Sequence, residues 1–197
     1  MAVKILIRCC RILVILLLFA SVSRDCIAPT IGFNEKMATF RVASVIGVRM
    51  FHESEYHRFI KDLGYSESKN DWLCINRIGC FGEWQFSEST LRTLGYRHIT
   101  LRKFKADPQI FPKELQRKVL ESLIKSNLSI LRNYDHFIGD TIRNVVITKS
   151  GMIAASHLGG AGSLKSFLRT NGRINRKDVL GTSIRDYLRR FDDYELD

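Results

Sequence analysis

From Pro112 to Tyr134 the residues Leu115, Val119, Leu120, Leu123, Ile124, Leu128, Leu131 and Tyr134 recur mostly at steps of three and four. They mark one apolar face over about five helical turns, with Pro112 suited to the first turn. A face of that length is stable only when other elements cover it, so the rest of the chain must supply further amphipathic segments.

Those segments are readable. Tyr56, Phe59, Ile60 and Leu63 form a helical stripe within Glu53–Ser66, ending near Gly64 and Tyr65. Ser87 or Ser89 can cap a short helix through Leu91 and Leu94, halted by Gly95, and a charged connector with Asp107 and Pro108 follows. Ser150 begins a helix through Met152 and Ala155 that Gly159, Gly160 and Gly162 interrupt before it resumes through Leu164, Phe167 and Leu168. In the tail, Thr182 or Ser183 caps a helix that turns Ile184, Tyr187, Leu188 and Phe191 inward. Between Asn70 and Glu83 the helical period is lost. The expected fold is therefore mainly α, with a small irregular β or loop lobe near residues 72–86, in one domain over residues 30–197. The hydrophobic content of 45% is ample for its core.

Residues 1–23 read differently. Lys4, Arg8 and Arg11 precede an uncharged run from Ile12 to Val22, and the small residues Ser21 and Ser23 precede Arg24. This is the tripartite order of a secretory signal. The run is about 11 residues long, against roughly 20 for a bilayer-spanning helix, so export to the periplasm or cell envelope is expected. An uncleaved anchor is the rival reading, and contact with the membrane is expected only through this segment. Cys26 follows Arg24 and Asp25 rather than small residues, which disfavours lipidation.

The formal net charge is +11, and removing residues 1–23 takes away only three of the basic side chains. So basic a surface attracts nucleic acid, anionic lipid or the anionic polymers of an envelope through the same field. Export leaves the envelope polymer as the expected partner and nucleic acid as an unexpected one. Cys74 and Cys80 bracket a loop that an oxidising compartment could close as a disulfide, while two buried free thiols fit the apolar flanks equally well. No cysteine or histidine cluster stands at zinc spacing, so no metal is expected. Gly159, Gly160 and Gly162 follow no strand and precede no Gly-Lys-Ser/Thr, which argues against a phosphate cradle.

The residues that carry chemistry lie around Glu67. Phe59, Leu63 and Glu67 fall at steps of four, placing the carboxyl on the buried helical face where it would emerge into a cleft. Such a setting suits an acid that donates a proton. The competing reading is a solvated carboxylate near a helix end. Trp84 and Gln85 offer an indole face for apolar CH groups and an amide for hydroxyls or acetamides. Burial of Trp84 and Phe86 in the small lobe is the alternative.

The segment carrying Glu67-Ser68 and Gly82-Glu83-Trp84-Gln85-Phe86 resembles the heart of the lysozyme-like superfamily, and MIAASHLGGAGSLKSFL resembles the third landmark of soluble lytic transglycosylases and goose-type lysozymes. In order, these landmarks cover residues 56–170. The resemblance implies a lysozyme-like fold and cleavage of the β-1,4 bond between N-acetylmuramic acid and N-acetylglucosamine in peptidoglycan glycan strands. It also implies Glu67 as the catalytic acid, with Ser68, Trp84, Gln85, Phe86 and His157 along the cleft. Asp71, Glu83 and Glu88 are candidates for a second carboxylate, and the want of an obvious one favours the single-glutamate route, in which the muramic acid 6-hydroxyl closes an anhydro ring. No cofactor is implied, and a monomer is expected. Ser156 and His157 depart from the Tyr and Asn often found there, which supports the alternative of a non-catalytic envelope-binding module on the same scaffold.

Overall fold

The stripe of Tyr56, Phe59, Ile60 and Leu63 becomes helix α1, residues 55–68, which runs past Gly64 and Tyr65 rather than stopping there. The structure, a computed structural model, describes residues 55–196, all within one unit, Val48–Asp197. Residues 1–23, read as a signal or anchor, and the start of the expected domain lie outside the described residues. Among the described residues no helix is long and apolar enough to cross a membrane.

The fold is mainly α. After α1 come α2 (Glu88–Thr93) and α3 (Leu101–Ala106), a 3-10 turn at Pro108–Ile110, and the long α4 (Lys113–Leu131), which passes into a 3-10 segment at Arg132–Phe137. A two-residue hairpin, β1 (Thr141–Ile142) and β2 (Val145–Val146), leads into α5 (Lys149–Arg169) and α6 (Ile184–Arg190). Helix α5 packs against both α4 and α6.

Local chemistry accounts for most boundaries. Pro112 is the residue before α4 rather than its first helical residue. Ser87 caps α2, its hydroxyl accepting from the Thr90 amide at 3.1 Å. Thr148, not Ser150, caps α5; Ser150 is the second residue of the helix and is fully buried. Gly160, at φ 76° and ψ 156°, breaks α5 into two helical segments, the interruption expected from the glycine run. Ser183 caps α6 in a reciprocal box with Asp186, each side chain bonded to the other residue's backbone N–H. Helix α3 was not foreseen: in LRKFKA only Phe104 is buried, so no apolar stripe announces it, and Thr100 provides the cap.

Two aromatic groups anchor the core. Phe81 packs on Phe104 and Phe111, with ring centroids 4.9 Å and 5.9 Å away, and Phe86 lies 5.8 Å from Phe111. These rings hold the small lobe, where isolated bridges pair Ile75 with Phe81 and Phe81 with Phe86, against the N-terminal end of α4. The second group joins Phe59 of α1 to Phe191 at 5.8 Å and Tyr194 at 5.3 Å, with Tyr187 5.4 Å from Phe191. Each buried ring contributes roughly 1.5–3 kcal/mol by leaving water. This second group fixes α6 beside α1.

Candidate functional site

Glu67 stands in the last turn of α1, one turn beyond Leu63 and two beyond Phe59, both fully buried. Its side chain is 15% exposed. The helix ends at Lys69 and Asn70, whose left-handed φ values of 62° and 63° turn the chain sharply away, and the Asn70 amide reaches back to the Gly64 carbonyl at 3.3 Å. The carboxyl is thus held at the rim of the core by the helix beneath it.

Three groups surround it. The Tyr187 hydroxyl donates to Glu67 Oε1 at 2.6 Å, and burial, reinforced by the same carboxylate, pushes the Tyr187 phenol well above its ordinary range. His157 Nε2 lies 4.0 Å from Glu67 Oε1 and 3.0 Å from the Trp84 carbonyl. Bonding to a carbonyl requires Nε2 to carry the hydrogen, and Nδ1 is buried without a partner. The Cys80 thiol is pushed up by burial and, in smaller part, by the Glu67 carboxylate. Ser66 and Arg190 extend the network: Arg190 Nη1 donates to Ser66 Oγ at 2.7 Å, and Ser66 Oγ lies 3.4 Å from the Tyr187 hydroxyl.

The turn 82–86 is locked to α1 and α4 from below. Ser68 Oγ donates to the Glu83 carbonyl at 2.7 Å, tying the end of α1 to the turn. Gln116, fully buried in α4, accepts from the Glu83 amide at 2.7 Å and donates to the carbonyls of Trp72 at 2.9 Å and Phe111 at 2.8 Å. Gly82 has φ 86°, and a Cβ there would sit 2.6 Å from the Gln116 oxygen, so the turn requires glycine. These contacts decide which way the side chains of the turn point.

Several expected cleft residues are therefore turned to other tasks. Trp84 and Phe86, each 2% exposed, belong to the core, and the Trp84 indole N–H donates to the Ile60 carbonyl at 3.1 Å. Phe86 packs on Phe111 and the Trp84 indole is bonded to α1, so neither ring stands in the open as a sugar platform. Gln85 donates to the carbonyls of Gly82 at 2.7 Å and Cys74 at 3.3 Å, so its amide N–H groups brace the turn. Ser68 is a pin between helix and turn rather than a cleft hydroxyl. His157 does lie beside Glu67, while its neighbour Ser156 is buried and bonded to the Ile153 carbonyl of its own helix.

Of the candidate second carboxylates, Glu83 is buried and faces Lys113, Glu88 accepts from the Leu101 amide, and Asp71 accepts from the Leu73 amide. Cys74 and Cys80 are free thiols. Among the described residues no group of three or more His, Cys, Asp or Glu is placed to hold a metal ion. Tyr187, Ser66 and Arg190 were not foreseen as site residues; the inward face of α6 marked Tyr187 as buried but not its partner. Comparison of the chain with models of protein families, with curated proteins and with solved structures finds no match.

Proposed function

We propose that this chain is an exported peptidoglycan muramidase of the lytic transglycosylase kind, on a lysozyme-like fold, with Glu67 as its catalytic acid. The observation that carries the reading is the placement of one largely shielded carboxyl, held by a phenol from α6 at 2.6 Å and flanked by His157 from α5. Three segments distant in sequence converge on it, and two of them are the ones whose residues resemble lysozyme-like landmarks.

With Oε1 accepting the Tyr187 hydroxyl, Oε2 is left to carry the acid proton. That oxygen donates to the glycosidic oxygen as the bond between N-acetylmuramic acid and N-acetylglucosamine breaks. The same carboxylate then takes the proton of the muramic acid 6-hydroxyl, which attacks the anomeric carbon and closes the 1,6-anhydro ring. Tyr187 is a positioning residue: its hydrogen bond stabilises the carboxylate formed after the first transfer and fixes its orientation for the second. The carboxylates considered as a partner are engaged elsewhere, Glu83 with Lys113, Glu88 with the Leu101 amide and Asp71 with the Leu73 amide, which favours this single-acid route over one needing two carboxylates. Export through residues 1–23 and a basic surface drawn to anionic glycan belong to the same proposal.

The alternative is a binding module without activity, favoured by the use of Ser156, Trp84 and Phe86 for packing. A Glu67→Gln variant separates the two. Under the enzymatic reading it loses clearing of purified sacculi while still co-sedimenting with them; unchanged clearing removes Glu67 from the chemistry, and co-sedimentation with no clearing by the native chain favours the module.

A further inference from the structure

A cavity of about 530 Å³ opens between α1 and the start of α4, on the side of the turn where Glu83 points. Its size is within the range of small-ligand sites, roughly 300–1,000 Å³. Glu83 is only 4% exposed, and its Oε2 completes no hydrogen bond; Lys113 Nζ stands 3.4 Å away as an ion-pair partner. Asn70 Oδ1 is likewise buried without a donor. The two side chains converge: a Cβ built on Gly64 would fall 2.7 Å from Asn70 Oδ1 and 3.1 Å from Glu83 Oε1, so glycine in the middle of α1 is what lets both approach.

Buried acceptors short of donors are a costly arrangement, and one that an ammonium group seated between them satisfies. The cavity's other polar walls have the opposite character. Lys61, Lys113, Arg117 and His57 line it together with one further carboxylate, Glu114, and Arg117 is shared with Glu121 at 3.3 Å. Ile60 and Trp84 add apolar surface to the lining.

We infer that this cavity binds a small zwitterion of dipeptide size, its ammonium taken by Glu83 and Asn70 and its carboxylate by Lys61 and Lys113. Lys113, 55% exposed on its side chain, is free to swing from Glu83 to the incoming carboxylate as the ammonium replaces it. The site does not depend on Glu67 or on any reaction there, since neither Glu67 nor its neighbours Tyr187 and His157 line the cavity.

The test is a titration of the isotope-labelled full-length chain with alanyl-alanine, its N-acetyl derivative and its methyl ester, followed by NMR at the Asn70 side-chain amide and the Trp84 indole. The expected result is saturable shifts at both signals with the dipeptide, at least about tenfold weaker binding for each blocked form, and loss of the response in Glu83→Gln. Lys113→Ala, with its fold checked by the far-ultraviolet spectrum, is expected to weaken the dipeptide about tenfold while leaving the methyl ester unchanged. Equal binding of all three compounds, or no shift at either signal at millimolar concentration, overturns the proposal and leaves solvent as the partner of these oxygens.

Discussion

The hydroxyl of Tyr187 and the carboxyl of Glu67 meet at 2.6 Å although 120 residues separate them in the chain. The contact exists because Phe59 and Phe191 stack edge to face beneath it and hold α6 beside α1. Replacing Tyr187 with Phe keeps that packing and removes only the donor. A hydrogen bond to a charged group contributes roughly 1.5–3 kcal/mol, so Tyr187→Phe is expected to clear sacculi about 10- to 100-fold more slowly with a far-ultraviolet spectrum like the native one. Native rates in this variant would show that the phenol does not position the acid.

The same contact makes the protein sensitive to alkali. Burial and Glu67 raise the Tyr187 phenol above 10.0, its ordinary value, and burial with a bond to Asp62 raises Tyr194 likewise. Above about pH 10 the unfolded chain has therefore released phenolic protons that the folded one retains, and stability falls as pH rises. Melting temperature measured from pH 9 to 11 should drop steeply in the native chain and less steeply in Tyr187→Phe. Equal slopes would contradict the assigned burial.

Gln116 tests how the turn is held. Its amide joins backbone groups of Trp72, Glu83 and Phe111 inside the core. Gln116→Ala leaves three backbone groups unpaired, two of them buried, at about 1–3 kcal/mol each, partly relieved by solvent entering the space. Urea unfolding is expected to show a loss of about 3–5 kcal/mol, whereas a loss below 1 kcal/mol would mean the turn stands without it.

How much of this was legible in the sequence depends on range. The face of α4 and the cap at Ser183 are set by residues within a turn of each other, and the same is true of the step-of-four placement of Glu67, so local pattern sufficed. The turn at Gly82–Phe86 was harder. Gly82 at φ 86° and Gln85 at φ 50° break the alternation that would otherwise tell which side chains face the core, and Trp84 went inward for that reason. The hairpin of β1 and β2 turns at Arg143 and Asn144, both at positive φ without a glycine, and gave no signal strong enough to read. Pairings such as Tyr187 with Glu67 or Gln116 with Glu83 are products of tertiary packing, which no local periodicity encodes.

Glu83 carries the prediction for acid. Burial holds its carboxyl above the ordinary value of 4.5, with Lys113 opposing the rise. The folded chain thus keeps a proton that the unfolded chain releases at pH 4.5, and the stability this group contributes is lost as pH rises through its folded value. Glu83→Gln removes the buried charge at neutral pH and strands only a half-exposed Lys113. Urea unfolding should find the variant about 1 kcal/mol more stable than native at pH 7, and less favoured at pH 4.5. A variant that loses more stability at pH 7 than at pH 4.5 would reverse the assignment.

The most direct test of the account is mass spectrometry of the muropeptides released from purified sacculi by the native chain and by Glu67→Gln. Fragments ending in 1,6-anhydromuramic acid, one water lighter than reducing ends, are expected from the native chain, and none from the variant. Reducing ends alone would replace the 6-hydroxyl with water as the nucleophile, and anhydro fragments released equally by Glu67→Gln would contradict the central role of that carboxyl.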